Sequence, residues 1–411
     1  MATAGARALV VVGASHAGAQ VAASARAAGH AGPIRLIGEE PCLPYQRPPL
    51  SKGFLLGKVD AATLPIRAAA FYREEAIDLL PGTRVAAIDR SARTVTTAAG
   101  QRIGYDRLVL AVGARPRLPP VPGIALDGVL ALRSLADAER LRERLPSVGA
   151  AVVIGGGFIG LEVAAALTAL GKRVTVLEAQ DRLLARAAAA PLAVHVAAVH
   201  RARGVDVRLR TTAARIDGAD GRTRAVVCDD GSVLPADLVV VGIGVVPETA
   251  LAAAAGLACT DGVEVDRFAS TADPAVLAVG DCCRHPNAYA GRSLRLESVQ
   301  HAVDQAKAAG ATAAGRPTPY EAVPWFWSDQ FDMKLQMVGL CAGWTHHVVR
   351  GDPATGRFSI FYFRDGRLLA IDSINRAAEH VAGRRLLAAG RSPSADEVAD
   401  ESFDLAAAAR A

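Results

Sequence analysis

Two short glycine-bearing turns carry the residue types that hold a dinucleotide. Gly13-Ala14-Ser15-His16-Ala17-Gly18 follows the apolar run Leu9-Val10-Val11-Val12, and Gly155-Gly156-Gly157-Phe158-Ile159-Gly160 follows Ala151-Val152-Val153-Ile154. In each, a strand ends, glycine lets the backbone turn tightly against a pyrophosphate, and the helix that opens there points its positive N-terminus at the phosphates. An acid past the next strand then bonds a ribose hydroxyl: Glu39 follows Ile34-Arg35-Leu36-Ile37-Gly38, and Glu178 follows Arg173-Val174-Thr175-Val176-Leu177. Two complete units of strand, turn, helix, strand and acid imply two dinucleotides. The first unit has Ser15 at the second glycine position, which weakens that site without cancelling it, because serine is small and donates to phosphate. The second keeps all three glycines, and Glu178 favours a free 2′-hydroxyl, hence NADH over NADPH.

The elements that position these turns follow from patterning. A chain of 411 residues exceeds one ordinary core and implies two or three domains. From Leu9 to about Val112, short β-branched runs alternate with an alanine-rich helix and end on Tyr105–Val112 before Gly113. From there to about Val245 lies a second βαβ unit, with Leu238-Val239-Val240-Val241 before Gly242-Ile243-Gly244, so the two segments echo each other as a duplication would. Val276-Leu277-Ala278-Val279 is apolar enough to demand a covered parallel sheet, and the first sheet is its assignment, which makes that domain discontinuous. A helix is expected from about Val299 to Ala313. After Pro324 come all three tryptophans, an aromatic run from Phe358 to Phe363 and a hairpin at Asp365-Gly366, the marks of a small α+β module. The alanine-rich end from Leu405 to Ala411 reads as a frayed tail.

Composition narrows the function classes. With 51% hydrophobic and 21% charged residues the chain is globular, and no run of apolar residues is long enough for a spanning helix. The apolar segment from Ala8 runs into the phosphate-binding turn and so is not read as a signal peptide; a cytoplasmic location is expected. A net charge of +5 suits an acidic protein partner as well as it suits nucleic acid. The arginines between Arg182 and Arg224 have no interleaved aromatics and read as a solvated face, with neither nucleic acid nor membrane as partner. Six scattered cysteines without a Cys-x-x-Cys pair argue against a zinc site or a dithiol redox centre, and no metal is expected.

The motifs in order resemble those of FAD-containing, NADH-dependent ferredoxin reductases of oxygenase systems. They are the first fingerprint, Pro44-Tyr45-Gln46-Arg47-Pro48-Pro49-Leu50-Ser51-Lys52, Gly113-Ala114-Arg115-Pro116, the second fingerprint, Gly280-Asp281, and Pro324-Trp325-Phe326-Trp327-Ser328-Asp329. The resemblance spans essentially the whole chain. It implies an α/β fold with two Rossmann-like dinucleotide-binding domains of glutathione reductase type and a small α+β C-terminal domain. The boundaries are 1–113 with 246–322 for FAD, 114–245 for NAD, and 323–411 for the C-terminal domain.

The same resemblance implies roles. Arg47 would meet the FAD pyrophosphate region, and Lys52 would approach N5 of the isoalloxazine, where a cation stabilises the charge that reduction brings. Glu162 would sit beside Lys52, orienting it and helping to receive the nicotinamide. Asp281 is assigned to a ribityl hydroxyl, Arg133 to FAD phosphate, the Val299 amide to a flavin pyrimidine carbonyl, and Trp327 to shielding the ring and the electron exit. The remaining cofactor contacts implied are Gly13, Ser15, His16, Ala17, Gly18, Glu39, Val85, Ala111, Gly113, Gly155, Gly157, Phe158, Ile159, Gly160, Glu178 and Gly244. His16 is read as packing or phosphate-proximal, and His301 as structural.

The implied activity takes a hydride from NADH onto FAD and passes single electrons to a small acidic [2Fe-2S] ferredoxin serving a haem monooxygenase or a Rieske oxygenase. Arg316 and Lys334 are the docking candidates, with association stronger at low ionic strength. Two other readings of the same fold stay open. An NADH oxidase or disulfide reductase needs a flavin-proximal cysteine; the only early one is Cys42, outside the Lys52 position, and the vicinal Cys282-Cys283 beside Asp281 read as structural. A binding flavoprotein resembling apoptosis-inducing factor needs a targeting segment and a stronger basic surface.

Overall fold

The computed structural model describes residues 7–410. The chain divides into two compact units, one of Met1–Gln46, Ala62–Arg115 and Val246–Pro324, the other of Arg47–Ala61, Pro116–Val245 and Trp325–Ala411.

The first unit is built on five parallel strands in the order Val276–Ala278, Arg107–Leu110, Leu9–Val12, Ile34–Ile37, Ile77–Leu80. The central three are nearly unbroken Leu, Ile and Val, because both faces of the sheet are covered. Successive side chains point to opposite faces. Leu9, Val11, Leu36, Val109 and Leu277 pack with the helices His16–Ala27 and Val299–Ala313. Val10, Val12, Ile37, Leu108 and Leu110 pack with the antiparallel strands Val85–Asp89, Thr94–Thr97 and Arg102–Gly104. The apolar run after Ala275 does enter this sheet, with Val276 opposite Leu108. The two helices meet through alanine and glycine: a Cβ on Gly310 would come within 2.8 Å of the Val21 carbonyl.

The second unit repeats the plan. Its parallel sheet runs Asp206–Leu209, Arg173–Glu178, Ala150–Ile154, Leu238–Val241, Val129–Ala131, and it carries its own antiparallel strands Ala213–Ala219, Arg222–Cys228 and Val233–Pro235. In each parallel sheet the fingerprint strand is central, with the acid-bearing strand on one side and a glycine-terminated strand on the other. The same unit contains an antiparallel sheet in the order Trp325–Gln330, Met333–Gly339, Arg367–Ile374, Arg357–Arg364, His346–Asp352. Its hairpin turns at Asp365 and Gly366, whose φ values of 51° and 72° match the primed turn read from the sequence. Leu335, Phe358, Ile360 and Tyr362 of this sheet share one apolar core with Val176, Leu192 and Val196. Among the described residues, no helix is long and apolar enough to cross a membrane.

The C-terminal end departs from expectation, because up to residue 410 it is docked rather than frayed. Val398 and Leu405 are buried. The guanidinium of Arg350, itself 6% exposed, donates to the carbonyl oxygens of Val398, Asp400, Glu401 and Phe403 and pairs with Glu379 at 3.2 Å. Within the alanine-rich run itself, the Ala408 carbonyl accepts from Arg391 Nη1 at 3.0 Å. Ala411 lies outside the described residues. Arg350→Ala should strand these carbonyls and Glu379, cost about 3–5 kcal/mol, and open residues 395–410 to limited proteolysis; a variant as resistant as the parent would refute the clamp.

Candidate functional site

In the first unit the expected residues gather at the carboxyl ends of the parallel strands, where ligands of open α/β sheets bind. Gly13 has φ +110°, and a Cβ there would lie 2.2 Å from the Ala111 carbonyl oxygen; one on Gly18 would lie 1.8 Å from the carbonyl oxygen of Gly13. The turn therefore closes only without side chains at both positions. Ser15 caps the helix His16–Ala27, whose first turn holds no acid, so its positive end is left for an anion. Ala17 and Gly18 are buried in that turn, and His16 is half-buried. Glu39 is exposed, with Arg84 Nε 3.9 Å away, while its neighbour Glu40 accepts from the Tyr45 hydroxyl at 2.6 Å. Ala111 and Gly113 follow Arg107–Leu110, and Asp281 follows Val276–Ala278 in the single turn Gly280–Cys282. Val299 opens its helix behind Ser298, whose hydroxyl accepts the His301 amide at 3.0 Å. Val85 stands apart, opening the antiparallel sheet.

The second fingerprint repeats this geometry. Gly155 has φ +109°, and a Cβ on Gly160 would lie 2.3 Å from the Gly155 carbonyl oxygen. Gly157 caps the helix Phe158–Ala169, again without an acid in the first turn. Glu178 Oε2 accepts from the Gly156 amide and Oε1 from the Gln180 amide, both at 2.8 Å, so the carboxylate is pinned beside the glycine loop. Gly244, at φ +99°, follows Leu238–Val241. Ile159 is 44% exposed, and the Phe158 ring packs on Phe326 at 4.6 Å.

The fifth residue of that helix is Glu162, only 3% exposed. Lys52 Nζ lies 3.0 Å from its Oε1, Ser328 Oγ donates to Oε1 at 2.6 Å, and Ser51 Oγ donates to Oε2 at 2.5 Å. The Pro48–Ser51 turn delivers Ser51 and Lys52 together. Burial raises the carboxyl's pKa, against the pull of the Lys52 charge and the two seryl donors. Behind Ser328, Gln330 Nε2 donates to its hydroxyl at 3.0 Å, and Gln330 Oε1 meets His200 Nε2 at 2.9 Å. Nearby, Arg47 Nη1 donates to the Arg133 carbonyl at 2.6 Å, so the two expected phosphate cations are neighbours.

Sequence reasoning paired Lys52 with Glu162 but missed Ser51, Ser328, Gln330 and His200. The available signal was period two on Trp325–Gln330: Phe326, Ser328 and Gln330 share one face, Trp325 and Trp327 the other. The two indoles lie 5.6 Å apart and are half-exposed, with the Arg384 guanidinium 4.6 Å over Trp325. Cys228, Cys259, Cys282, Cys283 and Cys341 are free thiols. Cys282 and Cys283 are fully buried, and burial pushes the Cys282 thiol up to about 11 and raises Cys283 as well, which disfavours the free thiolate that disulfide exchange needs.

Residues 7–306 match the pyridine nucleotide-disulphide oxidoreductase family, and residues 325–409 match the reductase C-terminal domain. The chain is 46% identical over 397 residues to rhodocoxin reductase of Rhodococcus erythropolis, covering 97% of this chain and 93% of that one. Its fold matches the crystal structure of the ferredoxin reductase for the CYP199A2 system from Rhodopseudomonas palustris with a TM-score of 0.96 at 44% identity, over 98% and 100% of the two chains. A chain of the covalent putidaredoxin reductase-putidaredoxin complex matches with a TM-score of 0.95 at 40% identity, over 99% and 100%. Likeness of this depth along the whole length, on top of two tight glycine turns of one geometry, makes the chain a member of the pyridine nucleotide-disulphide oxidoreductase family that carries the reductase C-terminal domain.

Proposed function

We propose that the protein is an NADH-dependent flavoprotein reductase that passes single electrons to a small acidic [2Fe-2S] ferredoxin serving a monooxygenase or dioxygenase. The observation that carries this reading is the buried Lys52–Glu162 pair in a chain with two dinucleotide cradles. Bound FAD would take a hydride from NADH and give up its electrons one at a time, as an iron-sulfur carrier requires. The cradle residues fit that group, since the turn from Gly13 to Gly18 offers amides where a side chain could not be placed. Arg47 and Arg133 supply cations for its phosphates, and Asp281 accepts from a ribityl hydroxyl. At the second cradle the pinned carboxylate of Glu178 accepts from a ribose 2′-hydroxyl and repels a 2′-phosphate. Lys52 provides the cation that a reduced flavin needs, and Glu162 with Ser51 and Ser328 keeps that ammonium in one place.

The partner class is supported by the names of two matched structures, a ferredoxin reductase and a putidaredoxin reductase in covalent complex with putidaredoxin. Exposed Arg316 and Lys334, with Arg384 over the Trp325 ring, suit an acidic surface. The disulfide reductase reading is disfavoured by the burial of Cys282 and Cys283. Free thiols suit a reducing compartment, and we assign the chain to the cytoplasm.

Glu162→Gln should slow flavin reduction by NADH in stopped flow by roughly 10- to 100-fold, the worth of a charge-assisted contact, while FAD content stays unchanged; equal loss of both would sink the role given to Glu162. Because its carboxyl titrates above the ordinary 4.5, the ion pair exists only above that raised value. The parent's reduction rate should therefore fall as pH drops through a limb above the usual carboxylate range, and the variant should lack that limb. Glu178→Ala should lower kcat/KM for NADH by roughly tenfold and narrow the preference over NADPH; an unchanged NADH-to-NADPH ratio would remove Glu178 from cofactor selection.

A further inference from the structure

A second polar cluster in the first unit has no part in the site described. Cys283 and His285 stand two residues apart on the strand Cys283–Asn287 and so share a face, and His301 lies on the first turn of the helix Val299–Ala313. All three are buried, and a sulfur or ring nitrogen from each lies within 4.8 Å of the others. The two imidazoles stack with centroids 4.7 Å apart and planes inclined by 17°. His285 Nδ1 and His301 Nε2 have no hydrogen-bond partner among the described residues. Buried nitrogens without partners are costly to keep in a core, and two of them on rings clustered with one thiol point to a ligand.

The surroundings fit a metal ion. Tyr320 Oη lies 3.1 Å from His301 Nδ1; with Nδ1–H donating to the phenol, Nε2 keeps its lone pair free. Gln305 Oε1 lies 3.2 Å from the Cys283 sulfur and accepts the Gly280 amide at 2.8 Å, placing an oxygen donor where a fourth ligand would stand. Tetrahedral zinc takes sulfur at about 2.3 Å and nitrogen at about 2.0–2.1 Å, which sets donor atoms roughly 3.5 Å apart, so binding draws the three together and turns the stacked rings until their in-plane lone pairs meet at one ion.

We propose that Cys283, His285 and His301 bind one borderline-soft divalent transition-metal ion, of which zinc fits best. Uptake releases one proton, that of the Cys283 thiol, to solvent. The ion ties the strand Cys283–Asn287 to the helix Val299–Ala313, and so braces Asp281 and Val299, which flank the cluster in the chain. Sequence spacing concealed it, because a Cys-x-His pair and a histidine sixteen residues on form no familiar zinc pattern.

The test uses the FAD-loaded protein, stripped with a chelator, incubated with zinc chloride, desalted and analysed for metal by mass spectrometry. One zinc per chain is expected, with at least a tenfold loss in Cys283→Ala and His301→Asn at unchanged FAD content. Less than a tenth of a zinc per chain in the parent, or equal zinc in parent and variants, overturns the proposal. Should the variants lose FAD, cobalt(II) added to the stripped parent decides. Visible bands of a thiolate-bound tetrahedral ion, to the red of the flavin absorbance, support the site, and their absence overturns it.

Discussion

A carboxylate taken out of water costs several kcal/mol unless other donors replace the water. At Glu162 that replacement comes from Ser51, Lys52 and Ser328, on segments 111 and 166 residues away in the chain. The requirement joins the proline-led turn Pro48–Ser51, the helix opened by the second fingerprint, and the strand Trp325–Gln330. Apolar packing agrees with it: Leu55 beyond the turn, Leu161 and Val163 of the helix, and Met333 and Leu335 beside the strand belong to one core. The C-terminal sheet is thus more than an appendage, because Ser328 completes the environment of the residue that positions Lys52. Loss of any one donor would leave buried charge uncompensated, and the whole polar chain from His200 to Lys52 rests on this point.

The two parallel sheets share one strand order but complete it differently. The edge strand Val129–Ala131 precedes its fingerprint strand in the chain, whereas Val276–Ala278 arrives long after its own. Completion of the first sheet therefore waits on contacts of high sequence separation, the kind that loop-closure entropy makes slow to form. The same late segment carries Asp281, so that residue joins the strand ends only when the sheet is whole.

What could be read from the chain was chemistry that is local in sequence. Gly18 and Gly160 exclude side chains by contact with the carbonyls of Gly13 and Gly155 in their own turns, and Asp365-Gly366 needs only its own φ angles. The pairing of Lys52 with Glu162 is not local, and it came from resemblance rather than spacing. Ser328 and Gln330 stayed hidden because their role depends on which face of Trp325–Gln330 meets the helix, a matter of tertiary register. The docked end was hidden for a like reason, since nothing in the sequence announces that a distant Arg350 will satisfy the carbonyls before the alanine run, or that Arg391 will donate to the Ala408 carbonyl within it.

If bound flavin is the only redox store and its electrons leave for a carrier, anaerobic titration of the FAD-loaded protein with NADH, followed by flavin absorbance, has a definite endpoint. Bleaching complete at one NADH per flavin is the result required. Consumption of two NADH per flavin would reveal a redox-active thiol pair, contradict the inert burial of Cys282 and Cys283, and make the protein a disulfide reductase.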